Sequence, residues 1–163
     1  MSFTSLKVHS LALLAVLGAA APAGAAAFLP TTTSDAGDGL CDADCSLRDA
    51  ITAANLSPGF DVIILGPGVY AVSGSGSEDS NASGDLDILD DLAIIGASAD
   101  KTNIEGSAER VLDIAAGATV EIIDAKISNG RQLTGNGGGI LNAGQLTLTR
   151  VQVSGNSANG GCW

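Results

Sequence analysis

Short runs of β-forming residues recur at a nearly constant interval through the second part of the chain. Leu-Ala-Ile-Ile at 92–95 returns as Val-Glu-Ile-Ile at 120–123, a step of 28, and then as Leu-Thr-Leu-Thr at 146–149, a step of 26. Positions 127–128 return at 153–154, again a step of 26, and the glycine run at 136–138 returns at 159–161, a step of 23 that we interpret as a shortened loop. This repetition predicts a solenoid whose coils stack on one another.

The predicted solenoid occupies residues 61–163, about four coils of strands that are rich in Ile, Leu and Val. The alternative is a β-sandwich, whose strands need not recur at a fixed period. Residues 73–85, rich in Ser and Gly, are predicted to form a flexible exposed loop. The chain stops within a repeat, so we expect the last coil to be incomplete. The predicted strands are 62–65, 69–72, 86–89, 92–95, 111–114, 120–123, 146–149 and 151–153.

Residues 1–25 have the pattern of a secretory signal peptide. They combine a basic start at Lys7, an apolar run at 11–17 and the small-residue exit Ala23-Gly24-Ala25. Cleavage is predicted after Ala25, with cleavage after Ala27 as a second choice. A membrane-spanning helix is the weaker interpretation, because a span needs about 20 apolar residues, whereas this run is shorter and is followed by a proline. We therefore expect a secreted or cell-surface protein with no membrane span in its mature chain.

The predicted mature chain is strongly acidic. It keeps all 18 acidic residues and six of the seven basic ones, since only Lys7 is lost, which gives a net charge of −12. Nucleic acid and anionic membranes are poor partners for such a surface. The one histidine, His9, lies in the predicted signal peptide, so catalytic arrangements and metal sites that need histidine are excluded from the mature chain.

Residues 26–60 are predicted to form an N-terminal cap. Cys41 and Cys45 lie close together in sequence, and in an exported protein they favour a disulfide over a metal site. Ser46 and Asp49 match a capping box at the start of a helix. One apolar stripe follows at i, i+3, i+4 and i+7, so the short helix is expected to pack on the first coil. That stripe is Leu47, Ala50, Ile51 and Ala54, and Asn55 with Pro58-Gly59 ends the helix.

The cap sequence resembles the CSLREA domain found at the start of bacterial exported right-handed parallel β-helix proteins. The resemblance lies in residues 38–41, 45–51 and 53–55, with Asp49 where the family usually has Glu, and continues through 68–70, 84–88 and 94–96. The run at 137–142 also resembles repeats of polymorphic outer-membrane proteins. The resemblance implies a right-handed parallel β-helix at the cell surface or outside the cell, with a structural, adhesin-like or passenger role. Its partner would be an extracellular ligand such as a polysaccharide or a protein.

The competing function is a carbohydrate-active lyase or hydrolase that uses paired carboxylates, because parallel β-helices include such enzymes. We favour a non-enzymatic role without catalytic residues or cofactors, because no spacing in the sequence places two acids opposite each other and the fold alone implies no activity. A pectate-type substrate is disfavoured further by the net negative charge. The acids considered are Asp87, Asp90, Asp91, Asp113, Glu121 and Asp124.

Three further features have simple interpretations. Asp35, Asp38, Asp42 and Asp44 could offer oxygen ligands to calcium, but they lack the EF-hand spacing, so we predict a polar turn without a metal. Arg48 is expected to be a solvated helix residue or a weak partner of a nearby Asp. Cys162 is unpaired by count and could form an intermolecular disulfide, or could be an accident of a truncated gene product.

Overall fold

The computed structural model of the protein describes residues 24–76 and 78–160. Within these residues the chain forms one α-helix and a series of short strands, as the alternation of Ile, Leu and Val runs with Gly, Asn and Asp predicts. The helix is α1 (Leu47–Leu56), and the strands are β1 (Ala27–Phe28), β2 (Asp61–Ile64), β3 (Gly68–Val72), β4 (Leu86–Ile88), β5 (Leu92–Ile95), β6 (Thr102–Gly106), β7 (Leu112–Ile114), β8 (Thr119–Ile123), β9 (Lys126–Ser128), β10 (Arg131–Gln132), β11 (Ile140–Asn142), β12 (Gln145–Thr149), β13 (Gln152–Ser154) and β14 (Ser157–Ala158).

The strands form parallel sheets that the chain visits in turn, once per coil. Sheet A has the order β1-β2-β5-β8-β12, sheet B the order β13-β9-β6-β3, and sheet C the order β11-β7-β4. A fourth, two-stranded sheet pairs β10 with β14. The result is a β-solenoid of about three turns, so the prediction of a parallel β-helix with a short helical cap is confirmed.

The observed register confirms the repeat lengths predicted for sheets A and B. Leu92 pairs with Val120 and Val120 with Leu146, which are the two steps expected from the sequence. Ile127 pairs with Val153, as expected for sheet B. β10 pairs with β14 at the same step as the strands of sheet B, and the Asn159 amide donates to Gln132 O. The loop before the last described strand therefore keeps the length of the repeat. The glycine run returns after β14 and ends outside the described residues, so the shorter step predicted from it stays a prediction.

The core consists of ladders of aliphatic side chains that stack from coil to coil. In sheet A, Ile63, Ile94 and Ile122 lie in register and are fully buried. In sheet C, Ile88 and Ile114 do the same. Because neighbouring parallel strands lie about 4.8 Å apart, stacked aliphatic residues fill this narrow interior without aromatic rings.

Helix α1 packs its apolar stripe on the first coil, against β2 and β4. The four predicted stripe residues, Leu47, Ala50, Ile51 and Ala54, are all at most 3% exposed. A helix this short is marginal alone, so this burial is what stabilises it. The strand β1, at the start of the cap region, pairs with β2 and extends sheet A by one strand.

Candidate functional site

The start of α1 combines the disulfide and the capping box in one unit. Cys41 and Cys45 are joined by a disulfide with a Cα–Cα distance of 4.3 Å. The Ser46 hydroxyl accepts from the Asp49 amide at 3.1 Å, and Asp49 Oδ2 accepts from the Ser46 amide at 3.0 Å. Asp49 Oδ1 also accepts from the Gly39 amide at 2.8 Å. The capping acid therefore holds both the helix start and the loop before it.

Arg48 is buried, so of its two predicted roles the solvated helix residue is wrong, and the partner of a nearby Asp is confirmed by Asp35. Its guanidinium donates to both carboxylate oxygens of Asp35, at 2.8 and 2.9 Å, and to the carbonyl oxygens of Gly84 and Asp85, both at 2.8 Å. The side chains of Arg48 and Asp35 are only 9% and 4% exposed. A planar guanidinium with five donors can satisfy this number of acceptors, which an ammonium would not. Arg48 therefore joins α1, the loop before β4 and residues 26–46, which precede α1 and are called the entry segment below.

The loop that Arg48 reaches is exposed at residues 73–76, as predicted for residues 73–85, but its end is buried against the cap. Asn81 and Asp85 are buried, at 2% and 6% exposure. Asn81 Nδ2 donates to the Arg48 carbonyl oxygen and to the Thr52 hydroxyl, both at 2.9 Å. Glu78 accepts from the amides at positions 80, 82 and 83 at 2.8 to 2.9 Å. The second half of this loop is a hydrogen-bonded part of the cap contact.

The entry segment and α1 cover the first strand of each of the three main sheets. In sheet A the cover is β1. In sheet B, the Ala71 amide of β3 donates to Thr33 O at 3.0 Å. In sheet C, Asn55 takes the place of a strand: its Nδ2 donates to Asp87 O at 2.8 Å, and its Oδ1 accepts from the Leu89 amide at 2.9 Å. Exposed strand edges template pairing with other chains, so this end of the solenoid is protected from it.

Three carboxylates meet on the outside of sheet C, close to the cap. Asp87 of β4 pairs in register with Asp113 of β7, and each of Asp79, Asp87 and Asp113 offers an oxygen within 4.8 Å of the others. The prediction that no spacing places two acids opposite each other is therefore wrong. The tripeptide Leu-Asp-Ile occurs twice, at 86–88 and at 112–114. This tripeptide repeat, which has the period of the other strands, is the sequence signal for the pairing of Asp87 with Asp113.

Burial strongly favours the protonated form of Asp87. Desolvation raises its pKa to about 7, and repulsion from Asp85, Glu78 and Asp113 adds to the rise, while the hydrogen bond from the Asn81 amide opposes it. Burial also raises the pKa of Asp113, against the attraction of Arg110. Two neighbouring carboxylates with little access to water have raised pKa values, because desolvation and mutual repulsion both disfavour the ionised forms.

Arg110 is the cation that faces this cluster. Its Nη1 lies 2.9 Å from Asp85 Oδ2 and also donates to Asp113 Oδ2, and its Nε donates to Gly137 O at 3.2 Å. The guanidinium therefore links β7 to the loop before β4 and to the glycine run of the next coil. A bound cation would compete with this guanidinium for Asp113.

The other acids considered from the sequence lie outside the cluster. Asp91 Oδ1 accepts from the Thr119 amide at 2.7 Å, and Asp90 Oδ1 accepts from the Asp91 amide at 2.8 Å. Glu121 lies in register with Ala93 of sheet A. Asp124 forms an exposed ion pair with Arg150 at 2.6 Å. Of the six acids, the structure brings only Asp87 and Asp113 together.

The acids considered as calcium ligands have separate partners. Asp35 is bound by Arg48 and accepts from the Ser73 amide at 2.6 Å. Asp38 accepts from the Leu40 amide at 3.0 Å. Asp42 and Asp44 interact with each other, so that the hydrogen bond between them lowers the pKa of Asp42 and raises that of Asp44. The contacts of Asp38, Asp42 and Asp44 are those of polar turns, whereas Asp35 belongs to a buried ion pair.

The carboxylate cluster has two chemical possibilities. A protonated acid beside an ionised one is the pair that glycoside hydrolysis uses, and three carboxylates can bind a hard cation. The cleft that Asp79, Asp87 and Asp113 line with Leu89 and Ala115 has a volume of about 230 Å³. Pockets that enclose small ligands measure about 300–1,000 Å³. If each carboxylate binds through one oxygen, the three supply half or less of the six to eight oxygens that calcium takes. The size of the cleft and the presence of Arg110 weigh against both possibilities.

Comparison of the chain with family models, with curated proteins and with solved structures finds no match. Within residues 24–76 and 78–160, no helix has both the length and the apolar character that crossing a membrane requires. Cys162, His9 and most of the predicted signal peptide lie outside the described residues.

Proposed function

We propose that this protein is an exported, non-enzymatic β-solenoid segment that serves at the cell surface or outside the cell as an adhesin-like or passenger structure. The observation that carries the proposal is the complete cover of the first coil, in which β1, Thr33 and Asn55 each occupy the edge of one sheet. A cover of this kind lets a repetitive fold begin in solvent without pairing with other chains.

The polar side chains of the cap region are used within the fold. Arg48, Asp49 and Asn81 form hydrogen bonds that join α1 to the loops before it and before β4. The same three side chains also line a cleft of about 330 Å³. The short disulfide and the predicted signal peptide support export, since disulfides persist in oxidising compartments. The resemblance to CSLREA-domain proteins supports the same role.

Fractionation of bacteria that express the whole chain tests this proposal. The chain is expected outside the cytoplasm, shortened at its N-terminus, with a mass that increases by two hydrogens when the Cys41–Cys45 disulfide is reduced. The control is the same chain with positions 2–25 deleted, which is expected to stay in the cytoplasm. An unshortened, cytoplasmic full-length chain contradicts the proposal.

A second candidate function, a carbohydrate-active enzyme, is favoured by the register pairing of Asp87 with Asp113. In that role Asp87, whose pKa is raised to about 7, would be the proton donor and Asp113 the ionised partner.

A panel of polysaccharides incubated with the exported protein separates the two functions. We expect no cleavage by the wild type. Cleavage that is lost in Asp87→Asn and Asp113→Asn, and retained in the matched control Asp124→Asn, contradicts the non-enzymatic proposal.

A further inference from the structure

The chain is fixed to the first coil where the predicted mature protein begins. The Ala26 amide nitrogen donates to Asp61 Oδ1 at 2.7 Å, and the Ala26 carbonyl oxygen accepts from the Val62 amide at 2.9 Å. Ala26 directly precedes β1, whose Ala27 pairs with Val62. These two hydrogen bonds hold the nitrogen of Ala26 against the Asp61 carboxylate.

The Asp61 side chain lacks a second partner. Asp61 is 0% exposed, and its Oδ2 is the one buried side-chain oxygen or nitrogen without a hydrogen bond among the residues that the structure describes. A buried carboxylate is costly unless it is paired and hydrogen-bonded. A peptide amide has one proton and no charge, so the Ala26 amide leaves this carboxylate incompletely satisfied.

We propose that Asp61 is a socket for the N-terminus that cleavage after Ala25 creates. Hydrolysis of the bond between Ala25 and Ala26 by a signal peptidase adds the hydroxyl of water to the Ala25 carbonyl carbon and hydrogen to the Ala26 nitrogen, which takes up a further proton at neutral pH. The new ammonium carries a positive charge and three N–H donors. It supplies the charge and the second hydrogen bond that Asp61 lacks. This inference rests on the export part of the proposed function.

The socket also decides between the two cleavage positions that the sequence leaves open. Gly24 and Ala25 are exposed, and a Cβ added to Gly24 would meet nothing within 4 Å. These two residues therefore make no packing that cleavage would destroy. Cleavage after Ala27 would instead remove the hydrogen-bond donor of Asp61 and the first residue of β1.

Asp91 offers a matched control in the next coil. Its Oδ1 accepts from the Thr119 amide at 2.7 Å, the same kind of bond that Asp61 makes, but Thr119 lies inside the chain and keeps a neutral amide. Asp61 is the first residue of β2 and Asp91 directly precedes β5, so replacing either Asp by Asn removes a carboxylate next to a sheet A strand. Only the change at Asp61 is expected to alter the N-terminal amine.

The experiment determines the first residue of the exported protein by mass spectrometry and then titrates its α-amino group by the pH dependence of acylation. We expect Ala26 as the first residue and an α-amino pKa at least about one unit above the usual 7.7–8.0, because a neighbouring carboxylate favours the ammonium. Asp91→Asn is expected to keep this raised value, and Asp61→Asn to return it to the usual range. A first residue of Phe28, or a wild-type amine with an ordinary pKa, overturns the socket.

A second preparation separates failure of the socket from failure of export. A protease recognition sequence placed directly before Ala26 in the whole chain yields the same N-terminus by cleavage in vitro. If the native chain is not exported, the proposed function fails. The α-amino pKa of Ala26 in the chain cut in vitro still tests whether Asp61 binds the new N-terminus. If Asp61→Asn does not fold, the wild type and Asp91→Asn decide it: a raised pKa in both supports the socket, and ordinary values in both overturn it.

Discussion

The first and last coils of this solenoid are built from similar strands and differ in burial. In the first coil, Ile63 and Ile88 are fully buried, because a coil lies on one side and the cap on the other. In the last described coil, Leu148 and Val153 are 44% and 49% exposed, and β12 and β13 pair on one side only within the described residues. The comparison shows that burial of a repeat is decided by its neighbours, and that the cap does for the first coil what another coil would do.

Two arginine–aspartate pairs repeat this contrast. Arg48 and Asp35 are nearly buried, whereas the Arg150 side chain is 65% exposed in its pair with Asp124. Water and salt screen the exposed pair, and the buried pair depends on its geometry alone. The same two residue types therefore have different energetic weight at the two ends of the molecule.

The largest effect is expected from Arg48→Met, which keeps much of the aliphatic stem and removes the guanidinium. It leaves Asp35 as a buried charge without its cation, together with unpaired carbonyls at Gly84 and Asp85, and should lower the free energy of unfolding by about 3–5 kcal/mol. Denaturant unfolding measures the loss. The matched control Arg150→Met should change stability little; equal losses in the two variants would contradict the difference between the ends.

A smaller effect is expected from shortening an aliphatic side chain in the cap. Ile51→Ala creates a cavity at a fully buried position between α1 and the first coil and should cost about 2–4 kcal/mol. Its counterpart, Leu148→Ala in the last coil, should cost less than about 1 kcal/mol because that side chain is already half in solvent. Thermal unfolding of both variants compares the two losses of stability. A larger loss of stability in Leu148→Ala than in Ile51→Ala would show that the last coil is covered in solution.

The smallest effect concerns pH. The pKa of Asp87 is about 7 in the folded protein, against an ordinary value of 3.8, so between these values the folded chain holds a proton that the unfolded chain has released. Stability from this group is therefore present at low pH and is lost as the pH rises towards 7. Asp87→Asn should reduce the stability difference between pH 5 and pH 8 by about 2 kcal/mol.

The matched control for this pH effect is Asp124→Asn. The hydrogen bond from Arg150 lowers the pKa of Asp124, so Asp124 titrates below the range from pH 5 to pH 8. The Asp124→Asn variant should therefore keep the wild-type difference in stability between these two pH values. If Asp87→Asn leaves the stability difference between pH 5 and pH 8 unchanged, Asp87 ionises freely in the folded protein and the prediction is wrong.

Local patterns predicted much of the fold. The helix stripe follows from the spacing of Leu47, Ala50, Ile51 and Ala54, and the sheet A register follows from the recurrence of similar strands, because both depend on periodicity that the chain displays directly. The sequence does not indicate the strand Thr102–Gly106, because Asn and Gly weaken its β pattern. Pairing with β3 and β9 holds this strand.

The candidate site was less predictable, because its contacts are distant in sequence. Arg48 meets Gly84 and Asp85 at sequence separations of 36 and 37 residues, so nothing near Arg48 in the sequence shows that it is buried. The Ser- and Gly-rich composition of the loop hides the anchoring role of Asn81. The Asp87–Asp113 pair can be predicted from the sequence, because the tripeptide Leu-Asp-Ile that contains each Asp repeats at the period of the other strands.

Native-state hydrogen exchange tests most directly the claim that the cap closes one end of the solenoid. The amides of Ala71 and Leu89, which donate to Thr33 and Asn55 of the cap region, should exchange at least about tenfold more slowly than those of Gln152 and Asn159 in the last coil, because local opening is easier where packing is one-sided. In Arg48→Met the first pair should lose this protection and the second pair should not change. Equal protection at both ends of the wild type, or equal acceleration at both ends of the variant, would contradict the account.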